Sequence, residues 1–137
     1  MQNDTTAAGI AGLILLAHGS RDALWRQPIE AVLGAVRQTR PHGLAACAYL
    51  EACAPALPTA ARGLVEAGAT HIPVLPLFLG TGKHAREDIP KLVQEIRHTY
   101  PQVAVELEPA VGEHPRVTAL LAELALAAME PSGRSGS

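Results

Sequence analysis

The sequence predicts an α/β fold in three layers: a four-stranded parallel sheet flanked by helices, in (βα)4 order. Two observations carry that prediction. Four short apolar runs alternate with four stretches whose apolar residues recur at helical spacing, the pattern of a parallel sheet with right-handed crossovers. In addition, three residues able to bind a metal, His18, Glu51 and His84, each follow closely on one of the runs. Their spacings are equal, since 51 − 18 = 33 and 84 − 51 = 33. On parallel strands all three emerge at one edge, the carboxyl edge where open α/β sheets bind ligands.

The elements follow in order. Leu13-Ile14-Leu15-Leu16-Ala17 places strand 1 over 12–17. Ile29, Val32, Leu33 and Val36 place helix 1 over 23–39, with Pro28 expected at or near its true start. Strand 2 is expected over 43–50. Helix 2 is expected over 57–67, opened by Pro58 and closed by Gly68, the usual proline-in, glycine-out asymmetry. The run from Ile72 to Leu79 puts strand 3 over 71–78, although Pro73 and Pro76 lack ladder donors and favour an edge. Leu92, Val93 and Ile96 mark helix 3 over 86–99, with Asp88 and Pro90 in its first turn. Strand 4 is expected over 102–107 and helix 4 over 114–129, opened near Pro115. One domain over 10–130 results, with residues 1–9 and 131–137 read as flexible termini. A four-stranded sheet has two vulnerable edges, so a homodimer is expected on that ground alone.

Composition narrows the function. The chain has 137 residues, 48% of them hydrophobic but only 3% aromatic, so Ala, Leu, Val and Ile must build the core. A net charge of −2 gives no electrostatic reason to expect nucleic acid. No stretch is apolar enough to span a bilayer and none is a basic amphipathic helix, so no membrane is expected. Met1 to Thr6 lacks the basic start of a signal peptide, and the two cysteines, Cys47 and Cys53, form no disulfide framework. A cytoplasmic location follows as the expectation. Cys47, inside an apolar run, reads as a small core residue.

The chemistry concentrates at the shared edge. His18 stands in Leu16-Ala17-His18-Gly19-Ser20-Arg21, where Gly19 permits a tight turn off the strand. A histidine at a strand end is oriented by rigid backbone, which suits a ligand or general base, and equally a structural ring bonded to a loop carbonyl. His84 closes Gly80-Thr81-Gly82-Lys83-His84, a loop whose glycines allow close approach of a ligand. Gly82-Lys83 invites a P-loop reading, but that motif needs glycine at position 77 and Ser or Thr at 84, where Leu77 and His84 stand. Glu51 can ligate a metal, hold an imidazole tautomer or accept a proton. Together His18, Glu51 and His84 are the candidate catalytic and metal-binding residues, a donor set suited to a divalent transition metal. Arg21, Lys83 and Arg86 flank the histidines and can hold the carboxylates of an anionic substrate, with Gly80, Thr81 and Gly82 as further substrate-binding positions. His42, His71, His98 and His114 read as structural, and Trp25 and Tyr49 as core residues. Ser20 lacks the context of a nucleophile elbow.

At these residues the sequence resembles the class II chelatases of tetrapyrrole synthesis, and most of all the small, single-domain sirohydrochlorin chelatases. The matching segments are Leu15 to Asp22 and Val74 to Leu79, then Gly82-Lys83-His84 and Glu87-Asp88-Ile89-Pro90. Weaker matches are Tyr49-Leu50-Glu51 and Gly112-Glu113-His114-Pro115. The resemblance implies a chelatase-like, flavodoxin-like half that pairs as a homodimer with the site between protomers. It implies metal-binding roles for His18 and His84 and an active-site acid at Glu51. The implied activity is insertion of cobalt, ferrous iron or nickel into sirohydrochlorin or a related tetrapyrrole, in cobalamin or siroheme biosynthesis. The metal is then a substrate, and no organic cofactor is required. Gly80-Thr81 departs from the pattern, since many relatives carry a bulkier or proline-containing link. The competing reading is a metal-binding or metal-delivery protein that keeps the ligands without insertion activity, and behind it a flavodoxin-like regulatory domain.

Overall fold

The computed structural model describes residues 9–131; of the expected termini, 1–9 and 131–137, all but Gly9 and Pro131 lie outside the described residues. The elements run β1 (Gly12–Ala17), α1 (Ala23–Thr39), β2 (Leu44–Tyr49), α2 (Leu57–Glu66), β3 (His71–Pro76), α3 (Lys83–Thr99), β4 (Ala104–Leu107), a 3-10 turn (Val111–Glu113) and α4 (Pro115–Ala128). All strand pairs are parallel, in the order β2-β1-β3-β4. The three-layer α/β expectation therefore holds, with β1 and β3 at the centre.

Three local expectations are corrected. Pro28 lies inside α1 rather than at its start. Asp22 takes the cap instead, its Oδ1 accepting the Leu24 amide at 2.9 Å, so a side chain and not a proline sets the helix origin. Helix α3 begins three residues early, at Lys83, because extended Gly82 ends the loop and its carbonyl accepts the Arg86 amide at 2.9 Å. Asp88 and Pro90 consequently fall in the second turn. The two prolines of β3 sit in a central strand, not at an edge. The Leu77 amide donates to Leu16 of β1, so the alternation of a strand turns position 76 towards β4. Strand β4 ends at Leu107, opposite Val74, so Pro76 lies beyond the last paired residue on that side. Pro73 does interrupt pairing: the β1–β3 ladder covers only Ile14–Leu16 against Val74–Pro76, with an isolated bridge at Ala11–His71.

The two faces of the sheet pack differently. Ile14, Leu16, Ile72, Val74 and Phe78 meet Leu57, Ala61 and Leu64 of α2 and Ile89, Val93 and Ile96 of α3 in one continuous core. The opposite face holds a smaller cluster, Leu15, Ala17, Cys47 and Tyr49, against which Ile29 and Leu33 of α1 are only half-buried. Neither α1 nor α4 contributes a buried residue. On α4, Leu120, Leu121, Leu124 and Leu126 are all exposed. Tyr49 is 4% exposed beside the buried Cys47. Burial, reinforced by Cys47, pushes its phenol up to about 12, and burial likewise raises the Cys47 thiol.

At the carboxyl edge the β1 and β2 loops are tied by backbone. The His18 carbonyl accepts the amides of Leu50 (3.1 Å) and Glu51 (3.0 Å). Gly19 has φ 106°, and a Cβ there would overlap the Glu51 carbonyl oxygen. Gly19→Ala should therefore lower stability in urea unfolding by at least about 1–2 kcal/mol, the usual cost of a left-handed non-glycine residue before the overlap is counted; wild-type stability would refute this packing.

Tyr49 yields a pH prediction. Between pH 10 and about 12 the unfolded chain loses the phenolic proton while the folded chain keeps it. Stability is thus fully present below pH 10 and falls as pH rises towards the folded value. Tyr49→Phe should remove that part of the alkaline slope, up to about 3 kcal/mol; an unchanged slope in unfolding experiments across this window would contradict the burial described.

Candidate active site

Each candidate residue is placed by the end of a strand or the start of a helix. His18 is the first residue beyond β1 and is exposed. Its imidazole stacks on the ring of Phe78, with centroids 4.3 Å apart and planes inclined by 28°. Phe78 belongs to the segment leaving β3 and is 3% exposed, so its ring is part of the core while one face meets the histidine. Glu51 lies two residues past β2, exposed, in a tight turn in which its carbonyl accepts the Cys53 amide at 2.8 Å and Ala52 adopts φ 69°. His84 is the second residue of α3 and also exposed. The three therefore stand at the carboxyl ends of three adjacent strands, β2, β1 and β3, with His18 in the middle.

Contacts join these positions unequally. His18 is bound to the Glu51 turn through backbone and to the β3 side through the Phe78 ring. Among the described residues, no three His, Cys, Asp or Glu side chains form a group able to hold a metal ion. Within one chain, two imidazoles and a carboxylate share an edge without closing into a coordination sphere.

The cations differ in freedom. Arg21 and Lys83 are exposed. Arg86 folds back over its own loop, Nη1 donating to the Thr81 carbonyl at 2.8 Å. Arg86 and Thr81 line a cavity of about 400 Å3 together with Phe78, Glu108 and Glu113, within the size range of small-molecule pockets. Gly80 and Gly82 have open space where a side chain would stand. They impose no special backbone geometry, so their value is room beside the loop.

Gly112, Glu108, Glu113 and Phe78 also stand at this edge, beyond the residues expected to form the site. The Gly112 amide donates to the Phe78 carbonyl at 2.9 Å, and a Cβ at 112 would overlap the Leu79 carbonyl oxygen. The 3-10 turn thus clamps the segment that runs from β3 to His84. The only sequence signal was the motif Gly112-Glu113-His114-Pro115, whose glycine marks such a close approach. Two of the remaining histidines have partners within the fold. His114 caps α4, its Nδ1 accepting the Arg116 amide at 3.1 Å. His71 pairs with Glu106 at 2.9 Å at the opposite end of the sheet. Trp25 is 38% exposed and tilted against buried Tyr49, so of the two aromatics only Tyr49 is a core residue.

Comparison with known proteins agrees with this architecture. The chain is 30% identical over 125 residues to a sirohydrochlorin cobaltochelatase from Sulfolobus acidocaldarius, covering 90% of this chain and 97% of that protein. It is 29% identical over 111 residues to a sirohydrochlorin ferrochelatase from Priestia megaterium, covering 81% of this chain. It spans only about two fifths of the bacillary ferrochelatases it matches, 42% of the Priestia protein and 38% of its Bacillus subtilis counterpart. The crystal structure of a CbiX protein from Marinobacter aquaeolei superposes with a TM-score of 0.77 at 30% identity, covering 88% of this chain and 98% of that one. The CbiX family model matches residues 12–128, and with the fold and both histidine segments inside that span, the chain belongs to the CbiX family.

Proposed function

We propose that this protein is a metal chelatase that inserts a divalent ion, cobalt, ferrous iron or nickel, into sirohydrochlorin or a related tetrapyrrole, the ion being a substrate. The observation that carries the proposal is the placement of two exposed imidazoles on the carboxyl side of adjacent strands, His18 just past β1 and His84 at the start of α3 after the β3 loop. The cobaltochelatase and ferrochelatase relatives support the choice of reaction and leave the choice of ion to the cell.

The reaction exchanges two pyrrole protons for one divalent ion. Neutral imidazole nitrogens suit first-row ions of intermediate softness, and two of them hold an ion without saturating it. His18 and His84 would present the ion with positions left for the ring nitrogens. Glu51, as ligand or proton acceptor, would take up a departing proton. Arg21, Lys83 and Arg86 would bind the acid side chains of the macrocycle, Arg86 with the guanidinium N–H groups that Thr81 leaves free. The open space at Gly80 and Gly82, with Thr81 between them, would let the ring lie close to the loop. No organic cofactor is needed for such an exchange.

The working unit in this proposal is a homodimer with the site between protomers. A helix apolar on all sides belongs in an interior, and α4 leaves four leucines exposed in one chain. The stripe of α1 is likewise only half-buried in one chain. A second copy would cover these surfaces and supply a second wall for the site.

Two outcomes are expected. His18→Ala and His84→Ala should each reduce insertion of cobalt into sirohydrochlorin, followed by absorbance under anaerobic conditions, by more than about 100-fold, exceeding the usual loss for outer-sphere partners. Their far-UV circular dichroism should be unchanged, because both residues are exposed. Near-normal rates in either variant would remove the site. In sedimentation velocity the wild type should run at twice the chain mass, and Leu120→Glu with Leu124→Glu at one chain mass; a monomeric wild type would refute the dimer.

A further inference from the structure

We propose that Phe78 is a positioning residue that fixes the imidazole of His18 for ion transfer. The inference rests on the reading of His18 as a metal-holding residue. Phe78 is the only phenylalanine in the chain. It is buried, and its backbone is held on both sides: the preceding Leu77 amide donates to Leu16 at 2.8 Å, and its own carbonyl accepts from Gly112 at 2.9 Å. The packed ring is therefore a fixed surface. His18 is the opposite case, an exposed side chain at the mouth of a loop. Among the described residues no hydrogen bond orients its ring nitrogens; what touches the ring is the face of Phe78, at 4.3 Å and 28°.

A metal-binding histidine is ordinarily aimed by a hydrogen bond from its second nitrogen, often to a carboxylate, which also raises its basicity as a ligand. Stacking aims the ring differently. It uses the π face, so both nitrogens, whose lone pair and N–H lie in the ring plane, stay available. It selects a rotamer without selecting a tautomer and without a carboxylate's added basicity. That combination suits a ligand that must hold an ion in a defined direction and then release it to the macrocycle. The aromatic face also favours the positive charge that arrives with the ion.

The experiment compares wild type, His18→Ala, Phe78→Leu and Val93→Ala for cobalt affinity by calorimetry and for insertion kinetics. Val93 is equally buried in the same core, on α3, and controls for lost packing. Phe78→Leu should weaken cobalt binding about threefold to tenfold, the usual worth of an aromatic stack. It should lower kcat with little change in KM for the tetrapyrrole, whereas Val93→Ala should leave affinity at the wild-type value. In proton NMR the His18 ring C–H signals of the wild type should lie upfield of those of exposed His98, through the Phe78 ring current. Wild-type cobalt affinity in Phe78→Leu, with His18→Ala weakened, would overturn the positioning role and leave His18 as a ligand. Unchanged affinity in His18→Ala would overturn both. Should Phe78→Leu fail to fold, the wild-type spectrum still decides, since His18 signals without an upfield displacement overturn the proposal.

Discussion

The pairing of β1 with neighbours on both sides is the constraint on which the rest of this structure depends. Six residues of β1 are in register with β2, and the same strand pairs with β3 through Ile14 to Leu16. Hydrogen bonding continues past the strand ends, from Leu50 and Glu51 to His18 and from Leu77 to Leu16. The strand that delivers the central histidine is thereby fixed against both segments that deliver its companions. A one-residue slip in a strand reverses every side chain. It would carry the buried Ile14 and Leu16 to the thin face and separate His18 from Phe78.

Much of this was legible in the sequence because it follows from periodicity. The apolar run Leu13 to Ala17 and the stripe Ile29, Val32, Leu33 and Val36 gave β1 and α1 their observed bounds. The edge shared by His18, Glu51 and His84 followed from parallel strands alone. What the sequence concealed depends on contacts distant along the chain. The stack of His18 on Phe78 spans 60 residues (78 − 18) and has no local signature. Gly112 against Leu79 is of the same kind. The prolines of β3 misled because propensity describes a lone strand; whether a missing N–H matters depends on where the neighbouring strand stops. The start of α3 was missed because Gly-Thr-Gly reads as loop, although extended Gly82 is a competent helix entry.

The two sheet faces divide the labour. The α2–α3 face carries the continuous core, including Val74, Ile72 and Leu57, each at most 1% exposed, and this supplies most of the buried apolar area. The α1 face is thin, with Tyr49 and Cys47 as its centre. The candidate site stands where the faces meet, at the carboxyl edge. Its rigid elements, Phe78 and the clamp at Gly112, come from the well-packed side, and the exposed His18 rests on that side through the Phe78 ring. A firm scaffold thereby supports exposed side chains at the edge.

The vacant surroundings of Gly80 and Gly82 have an evolutionary consequence. Neither glycine is held in a left-handed conformation, and no atom lies within 4 Å of where a side chain would begin. Bulk can accumulate at these two positions without distorting the main chain or taxing the core. The loop is therefore a neutral ledge on which side-chain volume can change while the histidine-bearing framework stays the same.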